Sequence, residues 1–217
     1  MMHSLKHSKE KQELLAAGKC LITFSIILSM LLIVSVKTDN PKLYFICLML
    51  AGYLCWTFTE YFMHRFWMHS KFRKLDNKPY HMHMEHHKHP TEIKISNQQR
   101  IFVFITASIL TALAVYLNNY FTLFVGFFNG FLIYSSIHYI LHQRWAKYIM
   151  PNVQRCHIHH HGKYPDKGFS FSTTLWDWMF NTLPPKEARI TDKMDLFYFG
   201  TNKIQRYPKN VLSKKSN

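Results

Sequence analysis

Acidic side chains are scarce in this 217-residue chain: 12 Asp and Glu stand against 27 Lys and Arg, a formal charge of +15. Such a balance points to nucleic acid, to an anionic membrane surface or to sidedness in a bilayer, and the position of the charges decides between them. Cysteine is also sparse. Cys20, Cys47, Cys55 and Cys156 show no paired spacing and three of them fall inside apolar runs, so neither a disulfide framework nor a zinc ribbon is suggested and buried, inert thiols are expected. No nucleic-acid-binding motif competes for the positive charge. With 48% apolar and 16% aromatic residues, the chain is neither a disordered tail nor a fibrous repeat.

Charge is missing altogether from long stretches. CLITFSIILSMLLIVSV (20–36) has none, and at 1.5 Å per residue it covers roughly 25 Å, close to the hydrocarbon thickness of a bilayer. A polar N-terminal tail precedes it and no small-residue cleavage site follows, so a retained helix is expected rather than a signal peptide. LYFICLMLAGYLCWTFTEYFM (43–63) is uncharged until Glu60, and IFVFITASILTALAVYL (101–117) is separated from YFTLFVGFFNGFLIYSSIHYIL (120–141) only by Asn118 and Asn119. The predicted fold is therefore all-α: an integral membrane protein with four transmembrane helices in two hairpins and a histidine-rich helical cap. The expected boundaries are an N-terminal tail at 1–19, a membrane domain at 20–200 and a frayed C-terminal tail at 201–217.

The tight turns inside the two hairpins carry only Lys37 and Lys42, whereas the other basic residues lie in the N-terminal tail, the 64–100 segment and the C-terminal third. By the positive-inside rule those regions, both termini and the cap are cytoplasmic, and contact with anionic headgroups accounts for most of the charge.

The histidines outside the N-terminal tail share that cytoplasmic layer. The second span ends in HRFWMH (His64, His69), the next segment supplies His83, His86 and His87, the fourth span ends in HYILH (His138, His142), and CHIHHH supplies His157, His160 and His161. His138 and His142, four apart, fall about 40° apart on a helix and face one way. His64 and His69, five apart, fall about 140° apart, so the second span must end or distort between them if both are to face one site. In each H-x-x-H-H triplet the first and second histidines are expected on one face, with the third swung aside, an arrangement suited to bridging two metal centres.

A lone histidine near a membrane interface is ordinarily a headgroup contact, but two triplets and two flanking pairs in one layer mark a site. All-imidazole donors suit iron, copper, nickel or zinc, and not calcium or magnesium. Ten ligands are too many for one ion, and two ions of about five ligands each account for them. Neutral ligands leave the charge of both metals uncompensated, which favours an anionic oxygen species between them and points to oxygen activation. A metal-handling transporter would need polar groups within the spans, which offer only Ser, Thr, Asn, Tyr and Glu60 before the histidines. A metal-bound scaffold without activity is the other alternative.

The histidine boxes resemble those of the fatty acid hydroxylase / sterol desaturase superfamily of integral-membrane di-iron enzymes, from about Thr59 to Pro185. TEYFMHRFWMH resembles the first box, HMEHHKHP the second, HYILH the third and CHIHHHGKYPDKGFSFSTTLWDWMFNTLPP the last. The run KGFSFSTTLWDWMFNTL, with Gly168, Trp176, Asp177 and Thr182, is similar to the segment after the last box of fatty acid 2-hydroxylases. The resemblance implies O2-dependent insertion of oxygen into a C–H bond of a fatty acyl or sphingolipid chain, with two irons (zinc as a possible substitute) held by His64, His69, His83, His86, His87, His138, His142, His157, His160 and His161. LHQRW (141–145) is also similar to a stretch of bacterial carotenoid hydroxylases, so carotenoid or sterol oxidation is the alternative within the superfamily. Eukaryotic 2-hydroxylases often carry a fused haem domain. The short N-terminal tail here implies a separate electron donor, a haem or iron–sulfur carrier with its reductase.

Other roles follow from position. Glu60, one turn before His64, is placed to accept its second ring N–H or to pair with Arg65. Asp177 is placed to orient a box histidine or to cap a turn, its flanking tryptophans forming an interfacial belt, and Phe66, Trp67 and Met68 are expected in the core or along an acyl channel. His81, His89 and His159 have no counterparts in the register shared by the two triplets, so they are expected beside the ligands or at the surface.

Overall fold

The computed structural model of the chain describes residues 2–69, 78–93 and 96–200, with side chains from Lys11 onward, Val34 excepted. The C-terminal tail expected at 201–217 lies outside these residues. Among the described residues there is no strand. The helices are α1 (Met2–Val36), α2 (Pro41–Phe62), α3 (Lys78–Lys88), α4 (Asn97–Leu117), α5 (Phe121–Leu141), α6 (Pro151–His161), α7 (Leu175–Met179) and α8 (Asp192–Phe199).

Four segments are long and apolar enough to cross a membrane, at Lys11–Ile33, Pro41–Met68, Asn97–Leu117 and Phe121–Leu141, each overlapping one uncharged run. The residues expected as a polar tail before the first run are helical from Met2 onward, because KEKQELLAAGK is rich in strong helix formers. Short polar connectors separate the paired helices. Asn40 starts α2, its Oδ1 accepting from the backbone N–H of Lys42 (3.0 Å) and Leu43 (3.2 Å), with Pro41 in the first turn. Between α4 and α5, Asn118 adopts φ 41°, a conformation asparagine tolerates, and Asn119 Oδ1 accepts from Phe121 N–H at 2.9 Å.

The chain divides into two compact units, one of residues 1–76 and 97–133, the other of 77–96 and 134–217. In the first, glycine lets helix backbones meet. A Cβ on Gly52 would collide with Leu123 O and Phe127 N, and one on Gly126 with Met49 O, so α2 and α5 are in backbone contact at this crossing. Trp56 packs its edge beside this crossing, 5.4 Å from Phe127 and 5.1 Å from Phe131, and Phe24 of α1 stacks on Phe58 of α2 at 4.1 Å. Asn129 Nδ2 donates to Thr111 Oγ1 at 2.9 Å, a polar link between α5 and α4. Outward-facing Phe102, Phe104 and Ile109 are exposed, as a lipid-facing surface requires.

The second unit surrounds the end of α5. The helix stops at Leu141, where unsatisfied carbonyls need donors. Gln154 of α6, fully buried, donates Nε2 to both Leu141 O (2.8 Å) and Gln143 O (2.7 Å), and Tyr198 of α8 donates its hydroxyl to Leu141 O (3.1 Å). Arg144 secures α8 by donating to Asp195 Oδ2 (2.8 Å) and Gly200 O (3.1 Å). Arg155 on α6 donates to the carbonyls of Pro185, Lys186 and Ala188, which holds the chain leading towards α8.

Candidate metal centre

Both histidine triplets lie on helices, and each divides its members. His83 and His87 of α3 bring their Nε2 atoms to 2.9 Å, and His160 of α6 brings its Nε2 to 3.1 Å from that of His87. His86 of α3 turns instead to His138, His142, His157 and His161, and the five donor nitrogens of this set lie within 4.8 Å of one another. Here His142 Nε2 is 3.0 Å from His157 Nε2, and the His86 ring lies 4.9 Å from His138 and 4.6 Å from His161. The expectation that first and second histidines pair is therefore corrected. Positions four apart differ by about 40° around a helix and positions three apart by about 60° in the opposite sense, so first and third converge while the middle one crosses to the other set. Helix α3 gives two imidazoles to the trio and one to the quintet; α6 does the reverse.

In the first unit, α2 passes into a π-helical turn, Met63–Met68, closed by a hydrogen bond from His69 N–H to His64 O at 3.0 Å. This is the distortion that the five-residue spacing demands: an i to i+5 turn stacks residues five apart. The rings of His64 and His69 lie 4.9 Å apart. Phe66 faces the core and Trp67 is exposed, while Arg65 donates to Tyr61 Oη at 2.7 Å and lies 3.8 Å from Glu13.

Burial sets the protonation state. It pulls His69 and His86 down to about 4 from an ordinary 6.5. His142, His157 and His161 are pushed well below the ordinary value by desolvation first and by neighbouring imidazoles second. Neutral imidazoles carry the lone pair a metal requires. The Nε2 atoms of His86 and His138 and both ring nitrogens of His161 are buried without a hydrogen-bond partner. Polar atoms so placed are costly, and a cation at the point where one nitrogen of each ring converges would satisfy that nitrogen. His160 donates Nδ1–H to Lys167 O at 2.8 Å, a partner that assigns the tautomer and turns the Nε2 lone pair towards His87. The donor chemistry fits iron.

Aromatic rings wall the quintet. Phe171 lies parallel to His138 at 4.6 Å and edge-on to His157 at 4.7 Å, and Tyr198 lies parallel to His142 at 4.5 Å. Asp177 fixes the loop that carries Phe171: its carboxylate accepts from Phe169 N–H (2.9 Å), Ser170 N–H (2.8 Å) and Thr182 Oγ1–H (2.7 Å). Burial raises its pKa against those three donors, which hold the charged form. Of the two roles expected for Asp177, the turn cap is the one found. Trp176 is fully buried and belongs to the core rather than to an interfacial belt, while Trp178 is exposed. Gly168, at φ 68°, sits against Cys156 O, an approach that a side chain would block.

The three histidines without counterparts in the triplet register stay out of both sets. His81 is exposed beside Tyr80, and His89 is exposed 3.3 Å from Glu85. His159 is fully buried and donates Nε2–H to Ala188 O at 3.2 Å. A cleft of about 330 Å³, lined by Glu85, His86, His89, Glu92, Ile93 and His138, opens onto the quintet. Gln154, Phe171 and Tyr198 were not singled out from the sequence, since a single Gln, Phe or Tyr carries no spacing signal.

The profile of the fatty acid hydroxylase family matches residues 49–182, which include all ten box histidines. The chain belongs to this family. It is 35% identical over 162 residues to a fatty acid 2-hydroxylase of Rattus norvegicus, a match covering 68% of the chain and 42% of the relative. Identity is 32% to a dihydroceramide fatty acyl 2-hydroxylase of Arabidopsis thaliana, covering 71% and 67%. It is 27% to a ceramide very long chain fatty acid hydroxylase of Saccharomyces cerevisiae, covering 72% and 43%. The match thus spans less than half the length of the rat and yeast relatives. With four helices able to cross a bilayer, this fatty acid hydroxylase family member is an integral membrane protein.

Proposed function

We propose that the chain is an O2-dependent lipid hydroxylase that inserts one oxygen atom into a C–H bond of a fatty acyl or sphingolipid chain. The observation that carries this reading is the convergence of five imidazoles, with buried, unpartnered nitrogens on His86, His138 and His161, in a chain of the fatty acid hydroxylase family. One iron is assigned to His86, His138, His142, His157 and His161. The second is assigned to His83, His87 and His160, and His64 and His69 are assigned as iron ligands by the resemblance of their segment to the first histidine box. Bound iron would supply the redox chemistry that reduces O2 and oxidises the C–H bond.

The residues of the chain do the rest. Burial keeps His86, His142, His157 and His161 unprotonated at neutral pH, the Lys167 carbonyl holds the Nδ1 proton of His160, and the rings of Phe171 and Tyr198 cover the faces of His138 and His142. The names of the rat and Arabidopsis relatives favour an acyl chain over a carotenoid ring as substrate. Electrons come from a separate donor in this reading, and the four spans form two hairpins that leave both termini and the histidines on the cytoplasmic side.

Expression in a host with a suitable electron donor, under 18O2, tests the activity. Acyl lipids heavier by one labelled oxygen near the carboxyl or amide end are the expected product. Unaltered lipids from an iron-loaded protein would overturn it, and labelled carotenoids would move the substrate to the ring-hydroxylating branch.

A further inference from the structure

The family match ends at residue 182, yet the ring that covers His142 comes from beyond it, on α8. His142 follows immediately after the last residue of α5, in a turn closed by hydrogen bonds from His142 N–H to Tyr139 O (3.2 Å) and from Gln143 N–H to Ile140 O (2.8 Å). Two side chains reinforce that turn. Gln154 donates to the carbonyls on either side of His142, those of Leu141 and Gln143, and so sets the peptide planes that bracket it. Tyr198 donates to the same Leu141 carbonyl at 3.1 Å while its ring lies flat on the imidazole, 4.5 Å between centroids and 17° from parallel. The four imidazoles around it, His86, His138, His157 and His161, meet it at steep angles. One flat face against Tyr198 and an edge directed at His157 Nε2 leave the ring a single orientation. Tyr198 is itself held, being 1% exposed on a helix tied by the Arg144–Asp195 ion pair.

We propose that Tyr198 is a positioning residue for the metal of the quintet, acting through the orientation of His142, and that α8 is therefore part of the metal centre. Tyr198 lies against three rings of the quintet, those of His142, His157 and His161, whereas a different ring, Phe169, lies 5.6 Å from His160 of the trio. The proposal rests on the assignment of the quintet as metal ligands.

The test is a titration of the metal-free full chain in detergent with Co(II), whose absorption counts sites and reports their geometry. Wild type is expected to take up two equivalents. In Tyr198→Leu one equivalent should bind as in wild type while the other weakens about 10- to 100-fold, with a changed absorption band, as the loss of an orienting partner of a ligand predicts. Tyr198→Met fills the space without a flat ring and carries the same expectation should the Leu variant not fold. Tyr198→Phe keeps the ring and should bind both ions nearly as wild type does. Unchanged binding in the Leu and Met variants, or equal weakening of both equivalents, overturns the inference. Fewer than two equivalents in wild type would instead overturn the two-metal reading beneath it.

Discussion

The interiors of the two units are closed in different ways. In the membrane-helix unit the outward surface is apolar, with Phe102, Phe104 and Ile109 more than half exposed, and the interior is closed by bare backbone at Gly52 and Gly126. In the histidine-bearing unit, Gln154, His157, His159, His160, Ser170 and Asp177 are fully buried beside Trp176 and Phe171. The difference lies in what each interior must satisfy. Helices in lipid gain nothing from hiding leucine and associate by close approach. An interior of imidazoles is tolerable only if something, a carbonyl or a metal, takes up its lone pairs and protons.

The sharpest way to break that contrast is to remove a ligand. His86→Ala and His160→Ala should each lower activity by more than about 100-fold, beyond what the loss of an outer partner of a ligand produces, and should lower bound metal, read by elemental analysis of the purified protein. In the other unit the equivalent blow is a methyl group or more at a glycine. Gly52→Leu should cost about 3 kcal/mol or more, because the colliding atoms are backbone and cannot swing aside, and the folded yield after detergent extraction should drop.

Intermediate effects sharpen the account of the polar interior. Asp177→Asn keeps the size of the side chain but puts an NH2 where one of the three donors now points, and a loss of about 2 kcal/mol in unfolding free energy is expected. Acidification should destabilise the metal-free protein for a related reason. His69 and His86 titrate near 4 when folded and near 6.5 when unfolded, so below 6.5 the unfolded chain binds more protons. Their contribution is complete above 6.5 and disappears as the pH falls towards 4, and Tm at pH 5 should lie below Tm at pH 7. The smallest effect is expected at His159→Ala. Its ring bonds Ala188 O, which Arg155 also serves, so both metals and measurable turnover should survive.

Much of this was legible in the sequence because its signals are periodic. Uncharged runs marked the four spans, the five-residue interval of His64 and His69 demanded a distorted helix, and the two triplets announced a shared register. The pairing inside the triplets was misread because three- and four-residue intervals both fall on one face of a helix, and only the direction of approach of the opposing helix decides between them. Helix α8 and Tyr198 were invisible for another reason. A single tyrosine 56 residues after His142 has no spacing to reveal it, and its role exists only once the chain has turned back over the end of α5. Asp177 stood between two roles until the loop geometry supplied its three donors.

The central claim is that the imidazoles form two separate metal positions, divided as the triplets divide. Iron content per chain in wild type, His161→Ala and His83→Ala tests it most directly, because those residues belong to different sets on different helices. Two irons in wild type and about one in each variant, with Mössbauer spectra that lose a different component in each, is the expected result. A single iron in wild type, or two variants that lose the same component, would contradict it.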